Sequence, residues 1–164
     1  MKIKIFSCGG TFEKVYDPIK GVLTFNKSAI PEILKRSRVT CETEFQALFF
    51  KDSLDMNADD RFVISNAINS DASQNIVLIH GTDTMVETAQ IVRDNNHNNK
   101  IVVITGAMIP FSIKESDALF NFGSALTAAK LLKAGVWISM NGNIFDSAEV
   151  KKNKISGVFE IGKP

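Results

Sequence analysis

The residues in this chain whose types and spacing could do chemistry are hydroxyls lodged in turns just after apolar runs. Thr11 follows Gly9-Gly10, and Thr82-Asp83 follows His80-Gly81. Asp52-Ser53 follows the run from Phe45 to Phe50, and Thr105-Gly106 follows Ile101 to Ile104. A threonine hydroxyl is a feeble nucleophile until a neighbouring base takes its proton. The set offers no catalytic histidine: His80 reads as a structural residue bonded to a backbone carbonyl, and His97 lies in a separate polar loop. Without histidine the base must be a lysine or a tyrosine. A lysine serves only when part of it is neutral, which needs burial or cationic neighbours; a carboxylate alone would hold it charged. There are no paired glutamates, no cysteine in a reactive setting and no metal-ligand spacing. Any one of these threonines could simply satisfy a turn. Their recurrence after successive strands weakens that reading.

The hydroxyls meet only if the apolar runs are neighbours in one sheet. Ile76 to Ile79 predicts a strand buried on both faces. The period then changes: Met85, Val86, Ala89 and Val92 recur at helical spacing, and Thr84 with Glu87 fits a capping box. Lys2 to Phe6 predicts the first strand, whose two glycines allow a sharp turn and close approach to a ligand. Residues 12–24 show no clear period, and Asp17-Pro18 and Gly21 mark a mobile loop or a small hairpin. Ser28 is placed to cap a short helix to about Lys35. Asn57 is placed to cap another, with Asp59 and Asp60 at its positive end and Ile64, Ala67 and Ile68 inward. Ser116 to Ala134 predicts the longest helix, with Leu119, Phe122, Leu126, Ala129 and Leu132 inward and Gly135 as its stop. Val136 to Met140 is a fifth strand, and the tail from Asn141 to Pro164 reads as a hairpin or loop. Strands alternating with helices predict an α/β fold, a doubly wound, mostly parallel sheet of flavodoxin or Rossmann type with helices on both faces. Such a sheet delivers every strand's carboxyl end to one edge, where ligands bind.

Composition narrows the classes. A chain of 164 residues, 45% hydrophobic, supports one ordinary domain with a core. The net charge is +1 and the lysines and arginines are scattered, which argues against nucleic acid as a partner. No apolar run is long enough for a membrane span, and Met1 to Phe6 is too short and too basic for a secretory signal, so a cytoplasmic location is expected. Cys8 and Cys41 lack C-x-x-C spacing and are expected as thiols. The glycines after the first strand lack the G-x-G-x-x-G pattern, against a dinucleotide site.

With these residues in view, the chain resembles the L-asparaginases, the two-threonine amidohydrolases, over essentially its whole length. Gly9-Gly10-Thr11 looks like their first threonine motif and His80-Gly81-Thr82-Asp83-Thr84-Met85 like their second. Asp52-Ser53-Leu54-Asp55-Met56 is similar to their substrate-carboxylate loop. Thr105-Gly106-Ala107-Met108, and the stretch from Met140-Asn141 through Asp146 to Lys152, follow the family pattern as well. The resemblance implies hydrolysis of L-asparagine to L-aspartate and ammonia through a threonine acyl-enzyme, with no cofactor and no metal, and allows a side activity on glutamine. It implies Thr11 as the attacking residue and Tyr16, the only tyrosine, as its assistant on a mobile loop. Thr82, Asp83 and Lys152 would form the second catalytic cluster, Lys152 drawing a proton from Thr82. Gly10, Asp52, Ser53, Gly81, Thr82 and Asp83 would bind substrate, with Asp83 and Ser53 taking its ammonium and carboxylate. An oxyanion site is implied at backbone N–H groups near the second threonine.

Residues 1–164 then read as a single catalytic domain of the family's N-terminal type, with no C-terminal domain and with a homodimer expected. In family members of ordinary length, an acidic residue from a neighbouring subunit's second domain completes the site beside the tyrosine. Here Glu13 or Lys14 is the candidate substitute. Leu54 stands where many members carry a glutamine that helps hold the amino group, so weaker, millimolar binding is expected. The competing reading keeps the fold and drops the chemistry: a non-catalytic module that binds a small amino acid.

Overall fold

A computed structural model describes residues 1–163. Strand β1 (Ile3–Gly9) leads through one 3-10 turn, Thr11–Glu13, into a hairpin of β2 (Lys14–Asp17) and β3 (Val22–Phe25). Helix α1 (Ile30–Arg36), strand β4 (Thr43–Lys51), helix α2 (Ala58–Ser70) and strand β5 (Asn75–Ile79) follow. Then come α3 (Met85–Asp94), β6 (Ile101–Thr105), α4 (Ala118–Leu131), β7 (Gly135–Met140) and β8 (Asn143–Asp146). A second hairpin, β9 (Val150–Lys152) with β10 (Phe159–Ile161), ends the described chain.

The main sheet has the order β4-β1-β5-β6-β7-β8. All neighbours pair parallel except β7 with β8. The alternation of strand side chains splits the core in two. Ile76 and Leu78 face α2 and α3 together with Ile64, Ile68, Met85 and Ala89. Val77 and Ile79 face α1 and α4 together with Ile30, Ile33, Phe122 and Ala125. The sheet is therefore covered on both sides, as the unbroken apolar runs of its central strands require.

Two features of this topology place the site. The chain leaves β1 toward β4 on one side and leaves β5 toward β6 on the other, so a crevice opens between the carboxyl ends of β1 and β5. In addition, α3 and α4 lie on opposite faces although β5–α3–β6 and β6–α4–β7 step the same way across the sheet. The β6–α4–β7 connection thus has the opposite hand to β5–α3–β6, against the strong preference for right-handed crossovers. It carries α4 to the face that holds the first threonine turn, and Phe12 meets Phe122 edge-on at 6.2 Å.

Several local expectations change. Thr84 precedes α3, but its side chain caps nothing; Oγ1 donates to the Ser53 carbonyl at 2.8 Å, and Glu87 pairs with Arg61 instead of closing a box. The capping box lies on α2, where Asn57 and Asp60 bond each other's backbone N–H reciprocally. Ser28 accepts from the N–H of Ile30 in a local turn, while its hydroxyl is drawn to Glu13. Leu119 is exposed on α4; the buried face uses Ala118, Phe122, Ala125, Leu126 and Ala129, three of them alanines. Cys8 is a buried thiol whose Sγ–H reaches the Ile79 carbonyl.

Candidate active site

The carboxyl ends of β1, β4 and β5 are locked together through glycine. Gly10 has φ +72, and a Cβ there would stand 2.4 Å from the backbone N and Cα of Gly81. A Cβ on Gly81 would in turn stand 2.6 Å from the Ser53 side chain. Only bare backbone allows three turns to touch at this range. Thr11 and Thr82 are each the residue after one of the contacting glycines. Thr11 is half-buried and opens the 3-10 turn; Thr82 is buried.

The second threonine has company from the far end of the chain. Hairpin β9–β10 seats Val150 and Phe159 in the core shared with α3, which brings Lys152 back to the start of that helix. Lys152 Nζ lies 2.8 Å from Thr82 Oγ1 and 2.6 Å from Asp83 Oδ1. The lysine side chain is 9% exposed and that of Asp83 47%. A hydroxyl, an amine and a carboxylate thus form a chain running from the buried rim to solvent. Ser53 completes the near wall: its side chain is buried, and its Oγ has no hydrogen-bond partner. An orphaned buried hydroxyl next to such a group costs stability unless something else bonds it.

Other expected members stand elsewhere. Thr105 is fully buried, with Oγ1 spent on the Ser139 carbonyl at 2.8 Å, so it does not belong to the rim. Tyr16 is 60% exposed on the β2–β3 hairpin and, among the described residues, bonds to none of the others. Glu13 cannot replace an acidic residue at the site mouth. It is buried, accepting from Ser7 Oγ at 2.6 Å, Ser28 Oγ at 2.7 Å and the Ala29 N–H at 2.8 Å, and it fastens the Thr11 turn to β1 and to the start of α1. Lys14 is no substitute either, since it is a cation paired with Asp52. Asp52 itself is engaged: beyond Lys14, its Oδ1 accepts from the Leu54 N–H. Leu54 is 71% exposed.

Three supporting residues carry no local sequence signal. Asp117 accepts from the N–H groups of Met108 and Ile109, and Asn121 joins the Gly106 carbonyl to the Asn141 N–H, so the start of α4 holds the loop after β6. Arg61 donates to the Met56 and Asn57 carbonyls and pairs with Glu87, tying the Ser53 loop to α3.

His80 is structural. Nδ1 lies 2.7 Å from the Gly81 carbonyl, which can only accept, so that nitrogen carries the proton; Nε2 then accepts from Thr88 Oγ1 at 2.9 Å. Burial pushes its pKa down from 6.5 to about 4. Below pH 6.5 the unfolded chain therefore takes up a proton that the folded chain refuses. The contribution of His80 is complete above pH 6.5 and is lost as pH falls toward 4, by on the order of 3 kcal/mol in all. Urea midpoints of the wild type are expected to drop between pH 7 and 4.5 more steeply than those of His80→Gln; parallel curves would contradict this.

Among the described residues no three His, Cys, Asp or Glu side chains gather to hold a metal ion, and no helix is long and apolar enough to cross a membrane. The family described as "Asparaginase, N-terminal" matches residues 2–161. L-asparaginase 2 of Escherichia coli (strain K12) is 35% identical over 111 residues, covering 65% of this chain and 32% of that protein. The glutaminase-asparaginase of Acinetobacter glutaminasificans is 33% identical over 92 residues, 54% of this chain and 28% of that protein. The thermostable L-asparaginase from Thermococcus kodakarensis shares the fold, with a TM-score of 0.82 and 24% identity over 98% of this chain and 51% of that one. The chain spans about half the length, or less, of the relatives it matches.

Proposed function

The chain belongs to the asparaginase family, which it matches through the family's N-terminal domain, and from that premise we propose that it is an amidohydrolase acting on L-asparagine. The Thr11 oxygen attacks the side-chain amide carbon, the amide nitrogen leaves as ammonia with the hydroxyl proton, and an ester remains. Water activated at Thr82 and Lys152 cleaves that ester, releasing aspartate and restoring Thr11. Asp83 takes the substrate ammonium, and the unpartnered Ser53 Oγ takes its carboxylate. The touching backbones of Gly10 and Gly81 let the substrate approach both threonines. Lys152 can accept a proton from Thr82 only after releasing one of its own. Tyr16 assists when the hairpin swings inward.

The observation that carries this reading is the hydrogen-bonded set Thr82–Lys152–Asp83, assembled from residues 69 and 70 positions apart. Ammonia release from L-asparagine, with L-glutamine in parallel, is the direct test. Thr82→Val and Lys152→Met are each expected to lower turnover by about 10²–10⁴-fold, the range for loss of a general base, with unchanged melting. Activity retained in Lys152→Met would move the base elsewhere. A second reading, a non-catalytic amino-acid-binding module, draws on Leu54, which offers the Ser53 loop no amide. Aspartate binding with no ammonia release from millimolar asparagine would select it. A homodimer closing the rim belongs to the first reading, and a mass of one chain by light scattering would set it aside.

A further inference from the structure

Asp52, expected among the substrate-binding residues, is instead engaged by Lys14 and the Leu54 N–H, and the mechanism above gives neither Asp52 nor Lys14 a step. Asp52 precedes the turn Ser53–Asp55, and its Oδ1 caps that turn at the Leu54 N–H, 3.2 Å away. A negative charge thus stands beside the loop that would receive a substrate carboxylate, and like charges at adjoining positions weaken anion binding. Lys14 answers that charge. Its Nζ bonds Asp52 Oδ2, the two side chains being 19% and 29% exposed. The ammonium also lies 5.8 Å from the centroid of the Phe25 ring, which stacks on Phe50. The lysine backbone is held as well, its carbonyl accepting from Ser112 Oγ at 2.9 Å. With the Lys14 side chain and the Leu54 N–H beside it, the Asp52 carboxyl is held below the usual carboxylate range.

We propose that Lys14 is a specificity-determining residue: by cancelling the charge of Asp52 at the Ser53 loop, it lets the site accept amide substrates that carry a neighbouring carboxylate. The inference rests on the reading of Ser53 as the carboxylate-binding residue, and it acts through Asp52 rather than by contact with the reacting atoms. It separates two uses of one ion pair. A pair that only fastened the hairpin would be needed intact, whereas a pair that removes a charge can be replaced by two neutral side chains.

Calorimetric binding of L-aspartate, which bears the same carboxylate and needs no turnover, tests this on the full chain. Lys14→Met is expected to weaken aspartate by about tenfold or more, because Asp52 is then uncompensated. The double variant Lys14→Met/Asp52→Asn is expected to return to within about threefold of the wild type despite lacking the ion pair. A double variant as weak as the single one, or a Lys14→Met protein that binds like the wild type, overturns the inference. A wild type that binds aspartate in this Lys14-dependent way but releases no ammonia loses the catalytic reading alone. Ammonia release with aspartate affinity indifferent to Lys14 loses this inference alone, and a wild type that binds no aspartate at about 50 mM loses both.

Discussion

Thr11→Ala is expected to lower ammonia release by at least about 10³-fold while leaving the protein folded, the behaviour of an enzyme that has lost its nucleophile. The fold has little at stake in this side chain. Thr11 is half-buried, and its hydroxyl makes no hydrogen bond among the described residues. The turn around it is held by other groups: the Gly10 N–H on the Lys51 carbonyl, the Glu13 N–H on the Gly10 carbonyl, and the buried Glu13 carboxylate. Loss of activity with an unchanged melting curve and unchanged aspartate affinity would therefore report chemistry alone. Thr11→Ser, which keeps the hydroxyl, should recover much of the rate. Turnover within tenfold of the wild type in Thr11→Ala would transfer the attack to Thr82 and recast the roles of both.

Gly10→Ala is expected to damage both stability and turnover. Gly10 combines φ +72 with ψ 179, a conformation essentially confined to glycine that costs another residue about 1–3 kcal/mol. Here the added methyl would also sit 2.4 Å from the Gly81 backbone, which cannot rotate away as a side chain could. The two turns must part, and they carry Thr11 and Thr82. A displacement of about 1 Å at reacting groups is enough to cost about 10² in rate, so turnover near or below a hundredth of the wild type should accompany a loss of about 3 kcal/mol or more. Gly21 supplies the comparison. Its φ is +68, yet a Cβ there would meet nothing within 4 Å, so Gly21→Ala should carry the backbone strain alone. Urea unfolding of both variants separates strain from contact. Equal losses at the two glycines would deny that the backbone contact matters.

Much of the architecture was legible along the chain. Ile76 to Ile79 and Ile101 to Ile104 are apolar at every position because both faces of these strands are covered, and the change to helical period at Met85 marks where the chain leaves the sheet. The glycine–threonine turns were legible too, since a glycine between a strand and a hydroxyl announces a tight backbone whatever surrounds it. The α2 cap and the two hairpins follow from residues close to one another in sequence.

What a polar side chain does with its hydrogen bonds was a different matter. Thr84 and Glu87 carry the letters of a capping box, yet the hydroxyl goes to the Ser53 carbonyl and the carboxylate to Arg61. Glu13 was a candidate for the acidic place beside Tyr16 and is buried under three donors; Thr105 followed a strand like the rim hydroxyls and is consumed by the Ser139 carbonyl. Lys152, flanked by lysines in a polar tail, reaches Thr82 only because Val150 and Phe159 anchor its hairpin in the core. The amino-acid order by itself determined the α/β sheet and its glycine–threonine turns, because periodicity and glycine act over a few residues. Tertiary structure alone decided which hydroxyls stayed available and which charges met, because a side chain with several partners of similar strength takes the one that a distant segment brings within reach.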